Sequence, residues 1–516
     1  MYVQSALRKA GCIFFLDIFP EKCRGFLKTS CNFTKNNRMI DVVVISDIFS
    51  AAFSVLYVAV ILTTIFIVIL ENRNPVKTMA WILVLFFLPI VGLVFYFFFG
   101  RSTRKEHLIT RKGYARISKR PMEAYYAQQS LSVKIEIHPV VHFFTRVSRA
   151  LTFGGNDVQV YTNGYAMLQA LMHAISQAKH HIHLQFYIFE NDPVGRLLRD
   201  LLIDKAREGV KVRLLYDDVG CWKVNSLFYD NMRCEGIEVH SFLKVRFPRF
   251  TSKINYRNHR KIVVVDGRVG FIGGMNIALR YLCGFSWGTW RDTHVKVEGR
   301  AVYGLQTAFL IDWFAMDRTL LTSVDYFPPL KEYGSSVAQV VTSDPIGEWH
   351  DIMQGLVKAV CSARHYFYVQ TPYLLLSDEV LAAFQTAALA GVDVRIMLPR
   401  KADTFITHKG SLSYLDDLMK AGVKVYLYKK GFLHSKLWVS DDTFASVGST
   451  NLDFRSFEHN FEANIFFYDM ATVVRLKEIF LADQRYALLL SRKLWNQRSF
   501  KNKVTESIVR LLAPLL

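Results

Sequence analysis

The chain has 516 residues, of which 51% are hydrophobic, and it carries a formal net charge of +20 at pH 7. A chain of this length has room for two or three domains with a sizeable core. The hydrophobic fraction argues against an ordinary soluble enzyme, and the positive charge favours anionic partners such as phospholipid surfaces, nucleic acid or phosphorylated substrates.

The N-terminal part predicts a membrane anchor. Residues 1–38 form a basic extension without a strong pattern, and Met39 is an alternative start. Two uncharged stretches follow at residues 48–70 and 78–100, each with about 23 residues, or about 34 Å of helix, enough to cross a bilayer. Only a short linker separates them, so we expect an antiparallel two-helix transmembrane hairpin within residues 39–106, with a possible kink at Pro89.

Basic residues flank this hairpin on both sides. The positive-inside rule therefore predicts that both termini, and everything after residue 101, face the cytoplasm. A cleaved signal peptide is disfavoured because the first apolar stretch starts late and a second follows at once. The basic residues are Arg8, Lys9, Lys22, Arg24, Lys28, Lys35 and Arg38 before the hairpin, and Arg101, Arg104, Lys105, Arg111, Lys112 and Arg116 after it.

The rest of the chain repeats a pattern of helices and strands. Residues 174–189 parallel residues 359–374, and further helix and strand pairs match downstream. This alternation is typical of an α/β layer, for which we expect largely parallel pairing. A Pro, Gly and Ser rich stretch at 325–336 predicts a boundary between two halves, residues 107–325 and 326–516.

Each half ends its repeat with the same motif, which predicts a strand, a tight turn and a returning strand. A match at all five positions is expected by chance at about 10⁻⁴ over a chain this long, so it indicates an internal duplication. The matching residues are His259, Lys261, Asp266, Gly273 and Asn276 in the first half, and His434, Lys436, Asp441, Gly448 and Asn451 in the second.

Strand geometry predicts how these side chains are placed. Side chains two positions apart point to the same face, so each histidine projects together with its lysine. Asp266 and Asp441 lie an odd number of residues further on, at the turn. We therefore expect them to support the site by holding turn amides or a neighbouring residue.

The two motifs predict one pocket for a phosphodiester, if the halves pack about a pseudo-twofold axis. One neutral imidazole can attack phosphorus while the other, protonated, donates to the departing alkoxide. The lysines can stabilise the charge that builds on the non-bridging oxygens. Asn276, Ser449 and Asn451 are the candidates for hydrogen bonds to the phosphate.

A nucleophilic histidine generally needs a carboxylate to fix its tautomer. Asp292 and Glu462 follow the two motifs at comparable distances and are candidates for this orienting role, although either could be an ordinary exposed charge. We expect no metal and no other cofactor, because cations adjoin the histidines and no carboxylate cluster lies near them. Seven scattered cysteines without a CxxC pair indicate reduced thiols rather than a disulfide framework or a metal site.

From about residue 140 to its end, the chain resembles the phospholipase D superfamily, which carries the HxKx4Dx6G pattern twice. Several stretches resemble bacterial cardiolipin synthases more narrowly. These are "ENRNPVKTMAWILVLFFLPIVGLVFYFFFG", "NYRNHRKIVVVDG", "IGGMN", "WRDTH", "HSKLWVSDD", "GSTNLDFRSFEHNFE" and "IVRLLAPLL". The resemblance implies two pseudo-symmetric α/β/α sandwich halves that form one catalytic body behind the membrane hairpin.

The resemblance also implies a phosphatidyltransferase of the bacterial cell membrane. It would transfer a phosphatidyl group between two phosphatidylglycerol molecules, giving cardiolipin and glycerol through a phosphohistidine intermediate. By analogy His259 would be the nucleophile, and His434 the acid and then the base. Gly274 stands where many members of the superfamily, and Ser449 in the second half, have serine.

Residues 242–258 interleave aromatic and basic side chains and have no counterpart of that length in the second half. Such a segment can bind single-stranded nucleic acid, or it can dock on an anionic lipid surface. The membrane hairpin favours the lipid surface, so no nucleic acid is expected as a partner; a solvated loop is the plain alternative. The rival functions are a membrane-tethered phosphodiesterase that hydrolyses phospholipid or nucleic acid, and a non-catalytic scaffold, which two intact motifs disfavour.

Overall fold

The computed structural model describes residues 31–70, 75–96, 123–129, 138–245 and 255–513. The chain divides into two compact units, Met1–Arg101 and Ser102–Leu516. The first 30 residues of the basic extension, and most of the interleaved aromatic and basic segment, lie outside the described residues.

The first unit contains one helix that is long and apolar enough to cross a membrane. Helix α1 (Cys31–Leu70) is continuous, so it begins before the predicted span, and its apolar part is Ser50–Leu70. Only 6% of that part is buried inside the protein. Exposure of so many apolar side chains to water is unfavourable in free energy, whereas the hydrocarbon core of a membrane accommodates them.

The predicted second span, residues 78–100, is not a single helix in the part that the structure describes. It forms α2 (Pro75–Phe87) and α3 (Pro89–Phe95), with a break at Leu88. Proline disfavours a helical conformation in the residue before it and removes a backbone donor, which explains the break.

Helices α2 and α3 lie side by side. The rings of Trp81 and Tyr96 are 5.4 Å apart, and a Cβ added at Gly92 would lie 2.9 Å from the carbonyl oxygen of Val84. A helix of 13 residues is about 20 Å long, which is less than the roughly 30 Å of a hydrocarbon core.

The second unit contains the two repeated halves. The first half comprises α4 (Pro139–Val147), β1 (Thr152–Tyr161), α5 (Gly164–Ser176), β2 (His181–Phe186), α6 (Pro193–Arg207), β3 (Lys211–Asp217), α7 (Ser226–Cys234), β4 (Glu238–Phe242), β5 (Arg257–Asn258), β6 (Ile262–Val265), β7 (Val269–Gly273), α8 (Arg280–Cys283), β8 (Thr289–Arg291), β9 (His294–Glu298) and α9 (Val302–Asp317).

The second half repeats this order. It comprises β10 (Ser336–Ser343), α10 (Asp351–Ser362), β11 (Tyr366–Gln370), α11 (Asp378–Leu389), β12 (Asp393–Pro399), α12 (Phe405–Ser413), α13 (Leu415–Lys420), β13 (Lys424–Tyr428), β14 (Gly431–Leu433), β15 (Leu437–Ser440), β16 (Phe444–Gly448), α14 (Phe454–Glu458), β17 (Asn460–Phe467), α15 (Met470–Gln484), β18 (Ala487–Leu489), α16 (Arg492–Asn496) and α17 (Phe500–Leu512).

One mixed sheet runs through both halves, in the order β18-β13-β12-β11-β15-β16-β17-β10-β1-β9-β7-β6-β2-β3-β4. The antiparallel pair β1 and β10 joins the halves, and the strand order on its two sides is equivalent. The two repeated halves therefore form a pseudo-symmetric pair, as the duplicated motifs predict.

The expectation of largely parallel pairing is wrong. Parallel pairs in this sheet are confined to β2-β3-β4, β11-β12-β13 and the short contact of β5 with β17. The motif strands β6-β7 and β15-β16 are antiparallel. The reason is that a tight turn can join only antiparallel strands, whereas parallel strands need a crossover helix.

Helices cover the sheet on both faces. In β6, Val263 and Val265 pack against the outer helices of the first half, whereas Ile262 and Val264 face a core shared with α9 and α15. The alternation of side chains along a strand produces this arrangement. Helices α9 and α15 thus lie on the inner face of the sheet, and each half is an α/β/α layer.

Candidate active site

Both motif histidines lie where a chain segment leaves one half and contacts the other. His259 sits between β5 and β6, and its backbone N–H donates to the carbonyl of Phe461 at 2.9 Å. His434 sits between β14 and β15, and its N–H donates to the carbonyl of Arg291 at 2.7 Å. These backbone contacts hold each histidine at the junction of the halves.

The two histidines line a single cavity of about 300 Å³. Both side chains are largely buried, with 12% of His259 and 8% of His434 exposed. A cavity of this size suits a phosphodiester and its small head group, but it is too small for two acyl chains. The predicted shared pocket therefore exists in the described part of the chain.

The orienting carboxylates are exchanged between the halves. Nδ1 of His259 lies 3.0 and 3.1 Å from the two carboxylate oxygens of Glu462, which belongs to the second half. Nδ1 of His434 lies 2.6 Å from Oδ2 of Asp292, which belongs to the first half. Both carboxylates are fully buried, and each interaction leaves Nε2 of its histidine as the atom available for chemistry.

Burial and neighbouring charges shift the pKa values of both histidines and both carboxylates. Burial lowers the pKa of His259 to about 4 and that of His434 to about 3, although the carboxylates act in the opposite direction. The ammonium group of Lys436 beside Asp292, and the hydrogen bond from His259 together with the charge of Lys261 beside Glu462, hold the pKa of each carboxyl group below its usual value despite its burial. These shifts favour neutral imidazoles beside ionised carboxylates.

Both motif lysines are buried in the same region. Nζ of Lys261 donates to the carbonyl of His259. Nζ of Lys436 lies 2.5 Å from the carbonyl of His434 and 2.9 Å from its Nδ1. Burial lowers the pKa of Lys261 to about 7 and that of Lys436 to about 8. The charge of Lys436 lowers the pKa of Lys261 further, whereas the nearby carboxylates, Glu462 for Lys261 and Asp292 for Lys436, act in the opposite direction.

The motif aspartates lie at the turns, and their side chains hold backbone amides. Asp266 accepts from the N–H groups of Lys179, His180 and His181 at 2.8 to 2.9 Å. Asp441 accepts from the corresponding amides before β11, at 2.6 to 3.0 Å. Both aspartates have positive φ, 53° and 51°. They fix the motif strand against its neighbour rather than line the cavity.

The three candidate phosphate ligands differ from one another. Asn276 and Asn451 line the cavity, but the side chain of Asn276 is engaged by the N–H of Ile188 and the hydroxyl of Tyr281. The hydroxyl of Ser449 donates to Glu462 and accepts from the N–H of Ala463 at 3.0 Å. In this structure Ser449 therefore supports the carboxylate that orients His259.

Gly274 has a physical reason to lack a side chain. A Cβ at this position would lie 2.1 Å from Oδ1 of Asp292. In the second half Ser449 occupies the equivalent place and contacts the equivalent carboxylate, Glu462. The shorter aspartate thus takes the space that a serine side chain would need.

Several cavity residues have no signature in the motif pattern. They include aromatic side chains around the histidines: Tyr187 lies 5.2 Å from the ring of His259, and Trp290 lies 5.0 Å from that of His434. Tyr373, Asp403 and Asn460 also line the cavity. Only the position of Trp290 two residues before Asp292 could have drawn attention to it.

Within the described residues, no group of three or more His, Cys, Asp or Glu side chains is arranged to hold a metal ion. The lysine ammonium groups instead supply positive charge next to the histidines.

Comparisons with known proteins agree with this geometry. The family described as "Cardiolipin synthase, PLD-like domain" matches residues 171–299 and 356–484, once in each half, and the family described as "Phospholipase_D-nuclease N-terminal" matches residues 55–101. The major cardiolipin synthase ClsA of Bacillus subtilis (strain 168) is 38% identical over 485 residues, which cover 91% of this chain and 100% of that protein.

A cardiolipin synthase of Geobacillus sp. (strain WCH70) is 39% identical over 459 residues, covering 87% of this chain and 91% of that protein. Among solved structures, a phosphatidylserine synthase from Haemophilus influenzae Rd KW20 has a TM-score of 0.56 at 13% identity, covering 73% of this chain and 100% of that one, and it supports the fold alone. The duplicated site and the near full-length relatives lead to one conclusion: the chain belongs to the phospholipase D-like cardiolipin synthase family.

Proposed function

We propose that this protein is a cardiolipin synthase that transfers a phosphatidyl group from one phosphatidylglycerol to another. The observation that carries this proposal is the pair of carboxylate-oriented histidines in one cavity, Glu462 with His259 and Asp292 with His434. The relatives named cardiolipin synthase supply the substrate class.

In the first step, Nε2 of His259 attacks the phosphorus of the donor lipid. The bond from phosphorus to the head-group oxygen breaks, and His434 gives its proton to that oxygen, so glycerol leaves and a phosphatidyl-histidine remains. His434 must hold a proton for this step. An anionic phosphodiester in the cavity would raise the pKa of His434, because the bound charge favours the protonated imidazole.

In the second step, a hydroxyl of another phosphatidylglycerol attacks the same phosphorus. His434 takes the hydroxyl proton, the bond from phosphorus to nitrogen breaks, and cardiolipin forms with His259 restored. Lys261 and Lys436 stabilise the negative charge that develops on the non-bridging oxygens in both steps. Asn451 is the remaining asparagine candidate for a contact with the substrate.

The membrane arrangement is part of the same proposal. In this proposal α1 spans the bilayer, and the basic flank after residue 100 supports a cytoplasmic catalytic body by the positive-inside rule. The apolar stretch at 78–100 is the second membrane segment. A second full span would require α2 and α3 to straighten at Leu88, whereas their side-by-side packing favours a re-entrant pair.

The partners follow from this arrangement. Phosphatidylglycerol and cardiolipin enter from the bilayer, because the cavity has room for the head group while the acyl chains remain in lipid. The net charge of +20 favours an anionic lipid surface.

Product analysis tests the proposal. Purified protein is incubated with vesicles of head-group-labelled phosphatidylglycerol, without nucleotide and with a chelator. The proposal expects cardiolipin and free glycerol in equal amounts. Release of phosphatidic acid without cardiolipin would favour the alternative, a membrane-tethered phosphodiesterase that passes the intermediate to water.

A further inference from the structure

The cavity wall is chemically asymmetric, although the two halves share one fold. Gln185 and Gln370 occupy equivalent places at the ends of β2 and β11, where each donates to a buried aspartate of the inner helix. Three residues further on, the first half has Ile188 and the second half has Tyr373, and both line the cavity.

The loops after β3 and β12 also differ, and again the second half has the more polar residue. Asp403 follows the end of β12 by four residues and lines the cavity. At the same distance from the end of β3 the first half has Cys221, which is buried and receives the N–H of Phe189. The hydroxyl of Tyr373 donates to Oδ2 of Asp403 at 2.7 Å and so fixes the carboxylate.

Two asparagines of the second half line the cavity, and within the described residues their side-chain oxygens accept no hydrogen bond. Oδ1 of Asn451 and Oδ1 of Asn460 are buried and have no hydrogen-bond partner among the residues that the structure describes. Nδ2 of Asn460 faces Oε1 of Glu462 at 3.2 Å, so its oxygen must point away from that carboxylate. The first-half counterparts differ, because Oδ1 of Asn276 already accepts from the N–H of Ile188 and its Nδ2 donates to Tyr281, and Trp290 precedes Asp292 where Asn460 precedes Glu462.

These groups suit a ligand with several hydroxyl donors. A phosphodiester has no proton to donate near neutral pH, so a carboxylate and two amide oxygens cannot be its ligands. A buried acceptor without a partner costs free energy, and a ligand hydroxyl would satisfy it. The buried ammonium groups of Lys261 and Lys436 in the same cavity disfavour a cationic head group.

We propose that Asp403, Asn451 and Asn460 form a polyol subsite that binds the hydroxyl groups of the glycerol head group as it leaves and as it returns as acceptor. This inference rests on the proposed phosphatidyl transfer and deepens it. The subsite would favour a polyol over water or a simple alcohol at the phosphatidyl-histidine stage, because only a polyol can engage the acceptors while one hydroxyl reacts.

The test compares two acceptors in the reverse direction. Full-length protein in cardiolipin vesicles receives labelled glycerol or labelled ethanol. Cardiolipin releases one unlabelled phosphatidylglycerol with either acceptor, so only the formation of labelled phosphatidylglycerol or labelled phosphatidylethanol is measured. For Asp403→Asn we expect the ratio of kcat/KM for glycerol to kcat/KM for ethanol to fall about tenfold or more, since one hydrogen bond to a charged group is lost. Tyr373→Phe, which frees the carboxylate, should lower the ratio in the same direction.

A matched control is available in the same half. Asp393 also accepts from a tyrosine hydroxyl, that of Tyr368 at 3.1 Å, but it does not line the cavity. Asp393→Asn should leave both rates and their ratio unchanged. An unchanged ratio in Asp403→Asn, or an equal loss with both acceptors, would overturn the polyol subsite, since an equal loss indicates a structural role.

Ethanolamine as a third acceptor tests whether Asp403 binds an ammonium group instead of hydroxyl groups. If Asp403→Asn reduced only the rate with ethanolamine, the carboxylate would bind the ammonium group and the inference would be wrong. Failure of the proposed function looks different, because the wild-type protein would then form neither product from glycerol nor from ethanol.

Discussion

Oδ2 of Asp292 lies 2.6 Å from Nδ1 of His434, although the two residues belong to opposite halves of the catalytic unit. Glu462 and His259 form the reciprocal contact. Each half therefore supplies one histidine and orients the histidine of the other. A site with two oriented histidines therefore requires both halves. This requirement is a physical reason for both motifs to be intact.

The orienting carboxylates should be essential although they do not touch the substrate. Asp292→Asn and Glu462→Gln keep size and shape but no longer stabilise an imidazolium or fix the tautomer. We expect turnover of phosphatidylglycerol to fall about 100-fold or more in each variant. Glu298→Gln is the control, because Glu298 pairs with Lys296 outside the cavity and its loss should not change turnover. A loss of less than threefold in both orienting variants would contradict this role.

Gly274→Ala should impair catalysis through Asp292. The added methyl group would lie 2.1 Å from Oδ1 of Asp292, so the carboxylate must move away from His434. We expect at least about tenfold lower kcat, with membrane integration unchanged, because a small misplacement of a catalytic group costs about this much or more. Turnover at the wild-type level would show that the carboxylate can shift without consequence.

The buried lysines predict a basic limit to activity. Their pKa values are lowered to about 7 for Lys261 and about 8 for Lys436, so they lose their protons as the pH rises through this range. In the proposed mechanism the charged forms stabilise the transition state, and kcat/KM should therefore decline from about pH 7 upward. Initial rates between pH 6 and 9.5 check this, and a plateau that extends to pH 9.5 would refute it.

Membrane topology separates a re-entrant pair from a second span. Single substitutions Pro75→Cys and Glu123→Cys are labelled with an impermeant reagent from each side of sealed vesicles, against the unsubstituted protein as background. The side-by-side packing of α2 and α3 predicts that both positions are labelled from the same side. Labelling from opposite sides would establish two full spans.

The sequence predicted that the two motif histidines share one pocket, but it did not predict which half orients each histidine. Local spacing is enough to show that His259 and Lys261 project together, because the period of a strand is fixed. It also allowed a supporting role for Asp266, whose carboxylate holds backbone amides. No local pattern could show that Asp292 orients His434, since this exchange depends on how two halves meet.

Other differences have local causes that the sequence pattern does not resolve. Asn276 and Asn451 are equivalent in the motif, yet Tyr281 engages only the first, because Ser456 stands at the matching place in the second half. The pairing direction of the motif strands follows from their tight turns rather than from the surrounding helices and strands. The break before Pro89 is visible as a proline, but the side-by-side return of α3 depends on tertiary packing.

The most direct test of the central claim is to trap the covalent intermediate. His259→Ala removes the proposed nucleophile and His434→Ala removes the proposed first-step acid; both variants and the wild-type protein are incubated with phosphorus-labelled phosphatidylglycerol, denatured at alkaline pH during turnover and mapped by peptide. We expect label on His259 in the wild-type protein, none in His259→Ala, and little in His434→Ala because the departing glycerol oxygen is no longer protonated. Label on a residue other than these two histidines, or cardiolipin formation by either variant at the wild-type rate, would contradict a shared pocket in which both imidazoles act on one phosphorus.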